Sequence, residues 1–436
     1  MRGLYSLVMQ GAQPLLRRKL RRRGVAEPGY LQAVDERFGH YDTPAVPGAL
    51  WIHAVSLGET RAAAVLIDAL RQERPGTRLL LTHGTATGRA EGARLLGPGD
   101  VQAWLPWDTP QAVGQFLAHF RPAAGVLMET EVWPNLVAAC TEAGVPLALA
   151  NARLSDKSLR QTARLSRLSR PAYAALAAVW AQTEADAQRL RKAGAQVQAV
   201  FGNLKFDAQP DAAQLARGQA WRQALGQPVV MFASSREGEE AEFFRVLAAN
   251  AELAGAGGAR RSSDEAISQV RWLVVPRHPQ RFDEVEALAR QAGLSVGRRS
   301  AWGDAGPTHD VPIWLGDSLG EMALYYGLSD VALLGGSFEP LGGQNLIEAA
   351  ACGCPVVMGP HTFNFAEAAQ QAAASGAAQR ADTLQDGVRH AAALAADPQR
   401  QAQMRDAALR FAAEHRGAAA RTAHAILSLL PSAQAT

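Results

Sequence analysis

Cysteine is scarce in this chain, with three residues among 436: Cys140, Cys352 and Cys354. So few build no disulfide framework, and they fit a reducing compartment. The Cys352-Gly-Cys354 pair lacks the second half of a zinc site and reads as small core residues beside a turn. The ten histidines are scattered, with no His/carboxylate cluster at ligand spacing, so no metal is expected. Also missing are a G-x-G-x-x-G after the first strand of either half, a Walker P-loop, a G-x-S-x-G elbow and any repeat of solenoid length. Basic charge on the body of the chain is in short supply too. The formal charge is +3, but residues 1–23 hold seven basic residues and no acid, which leaves the remaining 413 at a net −4. A net-acidic body argues against nucleic acid as a partner.

Apolar content is ample: 48% hydrophobic residues over 436 support two or three domains with buried cores. Leu4 to Leu16 form a thirteen-residue apolar stretch interrupted by Gln10, Gln13 and Pro14, short of the roughly 20 apolar residues that cross a bilayer. Six basic residues follow between Arg17 and Arg23, the reverse of a secretory signal, which carries its charge first. Residues 1–23 therefore read as an in-plane anchor, with apolar side chains in the acyl boundary and basic ones on anionic headgroups. The positive-inside rule then puts the body on the cytoplasmic side.

From about residue 50, short apolar runs alternate with longer amphipathic stretches, the pattern of a parallel sheet covered by helices. Strands are expected at Leu50–Val55, Leu79–Thr82, Gly125–Met128, Pro146–Ala150 and Val179–Gln182. A second series is expected at Val229–Ala233, Trp272–Val275, Ile313–Leu315, Val331–Leu334 and Pro355–Met358. The polar stretch Asp207 to Asp211, with Pro210, suits a linker between them, giving an α/β fold of two doubly wound lobes with a cleft between. Residues 251–269 are small and polar enough for a mobile surface insertion, and Asp397 to Leu430 has a helical pattern interrupted by Gly417.

Working residues in such folds sit at strand ends. Ser56-Leu57-Gly58-Glu59 follows the first strand, with a carboxylate in the first turn of a helix. Alone, Glu59 complements the helix dipole; facing a cleft, it could be a general base. Thr82-His83-Gly84-Thr85-Ala86-Thr87-Gly88 puts hydroxyls and flexible backbone at the end of the second strand, suited to a polar ligand though ordinary in itself. Next come Glu129-Thr130-Glu131-Val132-Trp133-Pro134-Asn135. In an extended chain the two carboxylates share one side, which like-charge repulsion disfavours unless a cation or substrate uses them. Asn151-Ala152-Arg153-Leu154-Ser155 places a guanidinium at another strand end, and Lys205 stands just before the linker. The second half offers Ala233-Ser234-Ser235-Arg236-Glu237-Gly238-Glu239, Pro276-Arg277-His278-Pro279 and Gly316-Asp317-Ser318-Leu319-Gly320-Glu321. Gly335-Gly336-Ser337 and Gly342-Gly343-Gln344-Asn345-Leu346-Ile347-Glu348 complete the set, a glycine-rich turn whose N–H groups could meet a phosphate, with Glu348 set to accept from ribose hydroxyls.

Taken in order, with His53-x-x-Ser56-x-Gly58-Glu59 at one end and Gly359-Pro360-His361-Thr362-Phe363-Asn364-Phe365 at the other, these strings resemble the 3-deoxy-D-manno-octulosonic acid (Kdo) transferases of lipopolysaccharide assembly. The resemblance covers nearly the whole chain, the N-terminal anchor included. It implies a GT-B type, inverting, metal-independent glycosyltransferase without a cofactor, with CMP-Kdo as donor and the lipid A precursor lipid IVA as acceptor. It implies three parts: a membrane-associating segment over 1–23, an acceptor-binding Rossmann-like domain over 24–207 and a CMP-sugar-binding Rossmann-like domain over 212–430. The implied location is the cytoplasmic face of the bacterial inner membrane, held to anionic lipids through residues 1–23. By position, Glu59 matches the family's proton acceptor, and Glu129 and Lys205 its transition-state stabilisers. Pro276, Arg277, Leu319, Gly320, Glu321, Asn345, Leu346, Ile347 and Glu348 match the CMP-contacting segments, with further substrate contacts at Ser56, Gly58, Arg153, Ser234 and His361.

Gln344 and Arg236 stand where the family usually has histidine, and Gln cannot carry a proton as His can. The Thr82-His83-Gly84 string also departs from the usual threonine-rich one. Two other readings remain open at this stage: another GT-B enzyme such as a nucleotide-sugar epimerase, and a membrane-bound nucleotide- or phosphosugar-binding protein without catalysis.

Overall fold

In the computed structural model, residues 1–255, 262–307 and 310–430 are described. Helices α1 (Arg2–Gly11) and α2 (Gln13–Ala26) come first. The chain then alternates through β1 (Leu50–His53), α3 (Leu57–Glu73), β2 (Leu79–His83), α4 (Ala86–Gly92), β3 (Val101–Trp104), α5 (Pro110–Phe120) and β4 (Ala124–Met128). It continues with α6 (Pro134–Glu142), β5 (Leu147–Ala152), α7 (Asp156–Arg164), α8 (Ser166–Ala174), β6 (Ala178–Ala181), α9 (Glu184–Ala193) and β7 (Ala199–Val200). The second series runs α10 (Ala212–Leu225), β8 (Val229–Ser235), α11 (Glu239–Gly255), α12 (Ser262–Gln269), β9 (Arg271–Pro276), α13 (Phe282–Gln291), β10 (Val296–Arg298), β11 (Ile313–Leu315), α14 (Met322–Leu328) and β12 (Val331–Leu334). It ends with α15 (Leu346–Ala351), β13 (Val356–Met358), α16 (Ala366–Ala374), β14 (Ala378–Arg380), α17 (Leu384–Ala395), α18 (Pro398–Glu414) and α19 (Ala418–Leu427).

Two parallel seven-stranded sheets result, ordered β3-β2-β1-β4-β5-β6-β7 and β10-β11-β9-β8-β12-β13-β14. In each, the series starts in the middle and builds first one side and then the other, with β11 inserted between β9 and β10 in the second sheet, so the order reverses at β1/β4 and at β8/β12. Crevices at such reversals, past the carboxyl ends of the strands, are where open α/β sheets bind ligands.

Both faces of the first sheet are apolar, as a helix-covered parallel sheet requires. Trp51, Leu80, Leu127, Leu149 and Val179 pack with Phe116 and Phe120 of α5 on one side. Their strand neighbours Leu50, Ile52, Leu79, Leu81, Val126 and Met128 pack on the other with Leu66, Ile67 and Leu70 of α3. In the second unit Phe232, Trp272, Val274, Leu315 and Leu333 pack with Phe243 of α11 and Val388 of α17. There α10 and α14 cross so closely that a Cβ on Gly218 would fall 2.1 Å from the Leu324 carbonyl oxygen, a contact only glycine permits.

The chain divides into two compact units, one up to Ala208 together with the chain from His415 on, the other Gln209–Glu414. The expected second domain, 212–430, therefore ends too late. Gly417 adopts φ 96° and breaks the C-terminal helix pair, and α19 returns to pack Ala419, Ala423 and Ile426 against the α3 side of the first sheet. Asp207 accepts from the backbone N–H of Gly417 and, at 2.7 Å, of Ala419, supplying from a distant part of the sequence the cap that Gly417 lacks. The 251–269 expectation also changes. Residues 256–261 lie outside the described residues, but α12 is a helix that buries Ala266 and Ile267 in the second core.

At the N-terminus, Leu20 packs with Tyr30 and Phe38. Ser6 donates to Asn135 Oδ1 at 2.9 Å, while Leu4, Leu7, Val8 and Leu15 are left exposed. Part of the basic run is engaged within the unit: the Arg17 guanidinium lies 3.7 Å over the Phe38 ring and 3.3 Å from Asp35. Among the described residues no helix is long and apolar enough to cross a membrane.

Replacing Asp207 by Ala removes two charge-assisted contacts to the start of α19. The expected result is a loss of about 2 kcal/mol of unfolding free energy and faster amide hydrogen exchange confined to α19. Unchanged exchange there would mean that apolar packing alone holds the helix.

Candidate active site

Glu59 enters the site through local helix chemistry. Ser56 caps α3, its hydroxyl oxygen accepting from the Glu59 N–H, and the Glu59 carboxyl reaches back to accept from the Ser56 hydroxyl at 3.1 Å and the Val55 N–H at 2.8 Å. This is a variant of the capping box in which the carboxyl takes the N–H of the residue before the cap. The same carboxyl is mostly buried, and burial together with the nearby charges of Glu129 and Glu131 outweighs the two donors and raises its pKa to about 7. A Cβ on Gly58 would meet nothing within 4 Å, so the helix start beside Glu59 faces open space.

The Thr82–Gly88 string supports this turn from below. The N–H groups of Gly84 and Thr85, at 3.1 and 2.9 Å, and the Thr85 hydroxyl at 3.0 Å all donate to the Val55 carbonyl. A Cβ on Gly88 would fall 2.9 Å from that same oxygen, so the loop can approach only as glycine. Most of its polar groups, suited in sequence to a ligand, are spent inside the unit: those of Gly84 and Thr85 on Val55, the Thr82 hydroxyl on Trp51 Nε1 at 2.7 Å and His83 Nδ1 on the Ala54 carbonyl at 3.0 Å.

Across the order reversal, β4 ends at Glu129. The chain is not extended there: Glu129 adopts φ 59°, a left-handed conformation that costs about 1–3 kcal/mol for a residue with a side chain. The expectation that Glu129 and Glu131 share a side by strand alternation therefore fails. The Glu129 side chain, on a residue only 3% exposed, accepts from Arg153 Nε at 2.7 Å and pairs with Lys205 Nζ at 3.6 Å. Glu131 accepts instead from Trp133 Nε1 at 3.0 Å, and burial pushes its pKa up. Arg153 is aimed by the neighbouring strand, where Asn151 at φ 51° accompanies a break in the β5/β6 register between Leu149 and Ala152. Lys205 sits on a 3-10 turn fixed by Asn151 Oδ1, which accepts from the Leu204 N–H at 3.1 Å, and by Asp207. Glu59, Glu129, Glu131, Arg153 and Lys205, far apart in sequence, thus converge in the first unit. Glu59 and Glu129 follow the two strands of the reversal.

The second unit repeats the device. Ser234 has φ 55°, and the β8/β9 register shifts between Ala233 and Ser235. The Arg277 N–H donates to the Ser235 carbonyl at 3.0 Å, joining the ends of β8 and β9. Arg236, Arg277 and Arg281 gather close enough to His278 that, with burial, their charges lower its pKa. One expectation is corrected at the glycine-rich turn. The N–H groups of Gly336 and Phe338, read as a phosphate cradle, donate to the Glu239 carboxyl at 2.7 and 3.1 Å, and those of Gly343 and Gln344 donate to the Gly336 and Gly335 carbonyls. Glu239 stood in the sequence reading only as the end of the string after β8, with no role, and the buried pair of Arg281 Nη1 and Glu240 Oε1 at 2.8 Å escaped it. Their only sequence signal is a run of acids opening α11.

The remaining expected residues fall into three places. Asn345 caps α15, accepting from the Ile347 N–H at 3.2 Å, and the Glu348 charge reaches Tyr326 on α14. Leu346 and Ile347 are core residues, each 1% exposed, so their side chains are closed to a ligand. Leu319 and Gly320 are exposed on a turn closed by Glu321, which accepts from Arg299 Nη2 at 2.9 Å and from Ser318. Pro276 is buried at the end of β9, and the His361 N–H donates to the Ser337 carbonyl at 2.9 Å beside the glycine turn. Gln344 and Arg236 prove to be neighbours: a Cβ on Gly336 would lie 3.2 Å from Gln344 Nε2 and 3.5 Å from Arg236 Cγ. Among the described residues no group of three His, Cys, Asp or Glu side chains could hold a metal ion.

Comparison with known proteins bears on this arrangement. A family profile described as 3-deoxy-D-manno-octulosonic-acid transferase (kdotransferase) matches residues 32–208. The 3-deoxy-D-manno-octulosonic acid transferase of Bordetella pertussis is 47% identical over 98% of each chain. That of Haemophilus influenzae is 30% identical over 84% of each. Among solved structures, Alr3699/HepE of Anabaena in complex with UDP aligns with a TM-score of 0.57 at 14% identity, over 88% of this chain and all of the other. The UDP-GlcNAc 2-epimerase of Neisseria meningitidis aligns at 0.55 and 12% identity, over 87% of this chain and 99% of the other. These distant structures share the two-sheet α/β fold of the GT-B type. With close identity to the Bordetella enzyme along almost its whole length, the chain belongs to the 3-deoxy-D-manno-octulosonic acid transferase family of glycosyltransferases.

Proposed function

We propose that the protein transfers Kdo from CMP-Kdo to the lipid A precursor lipid IVA, at the cytoplasmic face of a bacterial inner membrane. The observation that carries this reading is Glu59, a carboxyl with a pKa near 7 at an order reversal, within reach of the charge of Glu129. Such a group is matched to general-base work at neutral pH. Glu59 takes the proton of the acceptor's primary hydroxyl while that oxygen forms a bond to the anomeric carbon. The bond from that carbon to the CMP phosphate breaks, and CMP leaves with the electron pair, so one displacement inverts the configuration. Lys205 and Arg153, oriented by Glu129, stabilise the charge that develops. Donor binding falls to the second unit, where the guanidinium groups of Arg236 and Arg277 suit an anionic phosphate, while that of Arg281 is held by Glu240 and Glu284. The exposed apolar side chains of α1 and the basic run of α2 support attachment to an anionic bilayer.

Mass spectrometry of lipid IVA incubated with the protein, CTP, Kdo and a CMP-Kdo synthetase is expected to show the gain of at least one Kdo unit. Glu59→Ala should keep CMP binding and lose about 10²- to 10⁴-fold in turnover. Near wild-type turnover in that variant would remove Glu59 from the base role.

The kcat/KM of the wild type should fall about tenfold per pH unit below pH 7, as Glu59 takes up its proton. Stability should move the other way. A carboxyl raised in the folded state binds its proton more tightly there than in the unfolded chain, so ionising it costs stability between pH 4.5 and 7, with the full cost present above. Glu59→Gln should therefore gain about 1–3 kcal/mol over the wild type at pH 8 and little at pH 4. Thermal unfolding at the two pH values measures the difference, and an equal effect at both would show that the folded-state pKa is ordinary.

A further inference from the structure

The first unit carries a second basic surface, on α7 and α8, outside the site and outside the N-terminal run. Residues 156–174 contain Lys157, Arg160, Arg164, Arg167 and Arg170 against one acid, Asp156, a net charge of +4 in a body that is otherwise net acidic. Lys157, Arg160 and Arg164 recur at helical spacing on α7, Arg167 follows on α8, and all four are exposed. No residue of α7 is fully buried; Leu159 packs on the first core, and the opposite face with its cations is left to solvent. At the break between the two helices Leu165 is 55% exposed among these cations. An apolar residue flanked by Arg and Lys on an exposed helix pair is the composition of an interfacial surface.

Two further observations tie this patch to its surroundings. A groove of about 260 Å³ has an apolar floor that includes Val137, Leu168 and Pro171, and Arg167 of α8 and Arg2 of α1 line it together. The helix pair therefore adjoins α1, whose Leu4, Leu7 and Val8 are exposed. In the other direction α7 begins three residues after Arg153, which holds Glu129 at 2.7 Å. A lipid acceptor has to reach Glu59 from a bilayer, so a membrane-facing surface should adjoin that site.

We propose that the exposed face of α7 and α8 is a membrane contact in its own right, in which Lys157, Arg160, Arg164 and Arg167 meet anionic phospholipid headgroups and Leu165 enters the acyl boundary. The inference rests on the reading of the acceptor as a bilayer lipid. It differs from anchoring by residues 1–23, because this surface keeps the strand end at Arg153 close to the lipid while the N-terminal run tethers the chain.

The test is co-sedimentation of the full chain with vesicles of phosphatidylglycerol and phosphatidylethanolamine, compared with pure phosphatidylcholine. A basic residue near an anionic surface contributes about fivefold to binding, so the triple variant Arg160→Gln, Arg164→Gln, Arg167→Gln should bind the anionic vesicles on the order of a hundredfold more weakly at low salt. The corresponding triple Lys variant should stay within a few-fold of the wild type. Anionic-vesicle binding by the Gln variant within twofold of the wild type would overturn the proposal, as would an equal loss on neutral vesicles. A second readout avoids multiple substitution. All three native cysteines are buried, so an environment-sensitive fluorophore can be placed at Leu165→Cys. Its emission should shift blue with anionic vesicles, and an unchanged spectrum also overturns the proposal. Turnover of an acyl-free, water-soluble acceptor should be unaffected in the Gln variant. Failure of the wild type in that assay would count against the transferase reading and leave the vesicle result to decide the surface.

Discussion

The buried carboxyl of Glu129 is the constraint on which the first unit's site depends. Placed almost out of reach of water, it is tolerable only with partners close by. Those partners come from two other elements, Arg153 from the end of β5 and Lys205 from the turn before the second unit. Meeting them requires the left-handed backbone at Glu129 and the irregular end of β5 at Asn151, each of which costs energy locally. Asn151 also accepts from the Leu204 N–H, so the residue that redirects β5 places the turn that carries Lys205. The charge of the same Glu129 then acts on Glu59 across the order reversal. One ion-paired group therefore fixes three strand-end segments and biases the protonation of a fourth.

All ten strands expected from the sequence are present, and the four that went unseen share a position. β3, β7, β10 and β14 are the edges of the two sheets. Interior strands of a parallel sheet are covered on both faces and spell continuous apolar runs, as Val331–Leu334 and Ala124–Met128 do. An edge strand is half-open and admits polar residues, so Val296–Arg298 and Ala378–Arg380 carry no such run. The return of α19 was equally hidden. A helical pattern shows that a helix forms but not which sheet receives it, and the deciding contact is Asp207, more than two hundred residues away.

The site was legible in part, and for two different reasons. Strand-end reasoning brought out Glu59 and Arg153, and the position before the linker Lys205, as polar groups that the fold gathers in the first unit, whereas the roles given them came from the resemblance to Kdo transferases. What neither source could show is backbone strain. Glu129 and Ser234 are ordinary residues in sequence, and their left-handed conformations appear only once the neighbouring strands are built. The phosphate reading of the glycine turn missed for a related reason. Its N–H groups are counted correctly from the sequence, but Glu239 at the start of α11 already satisfies two of them. The irregular residues Glu129 and Ser234 each stand beside the order reversal of their sheet, one after β4 and the other at the end of β8, where aiming a side chain matters more than regular pairing.

Glu59 shows how a structural role and a chemical one coexist in one carboxyl. As part of a capping-box variant it accepts from Val55 and Ser56, and those bonds favour its charged form. Alone they would make a strong acid, useless for removing a proton from an alcohol. Burial and the negative charges of Glu129 and Glu131 act in the opposite sense, and the balance near pH 7 leaves a base that is available at neutral pH yet gains from taking a proton. The capping bonds hold the carboxyl still while the opposing field sets its basicity, so neither can be altered without shifting the other. This accounts for the support beneath the turn: the three bonds from Gly84 and Thr85 to the Val55 carbonyl keep fixed the one donor, the Val55 N–H, whose displacement would move both the geometry and the pKa of the base.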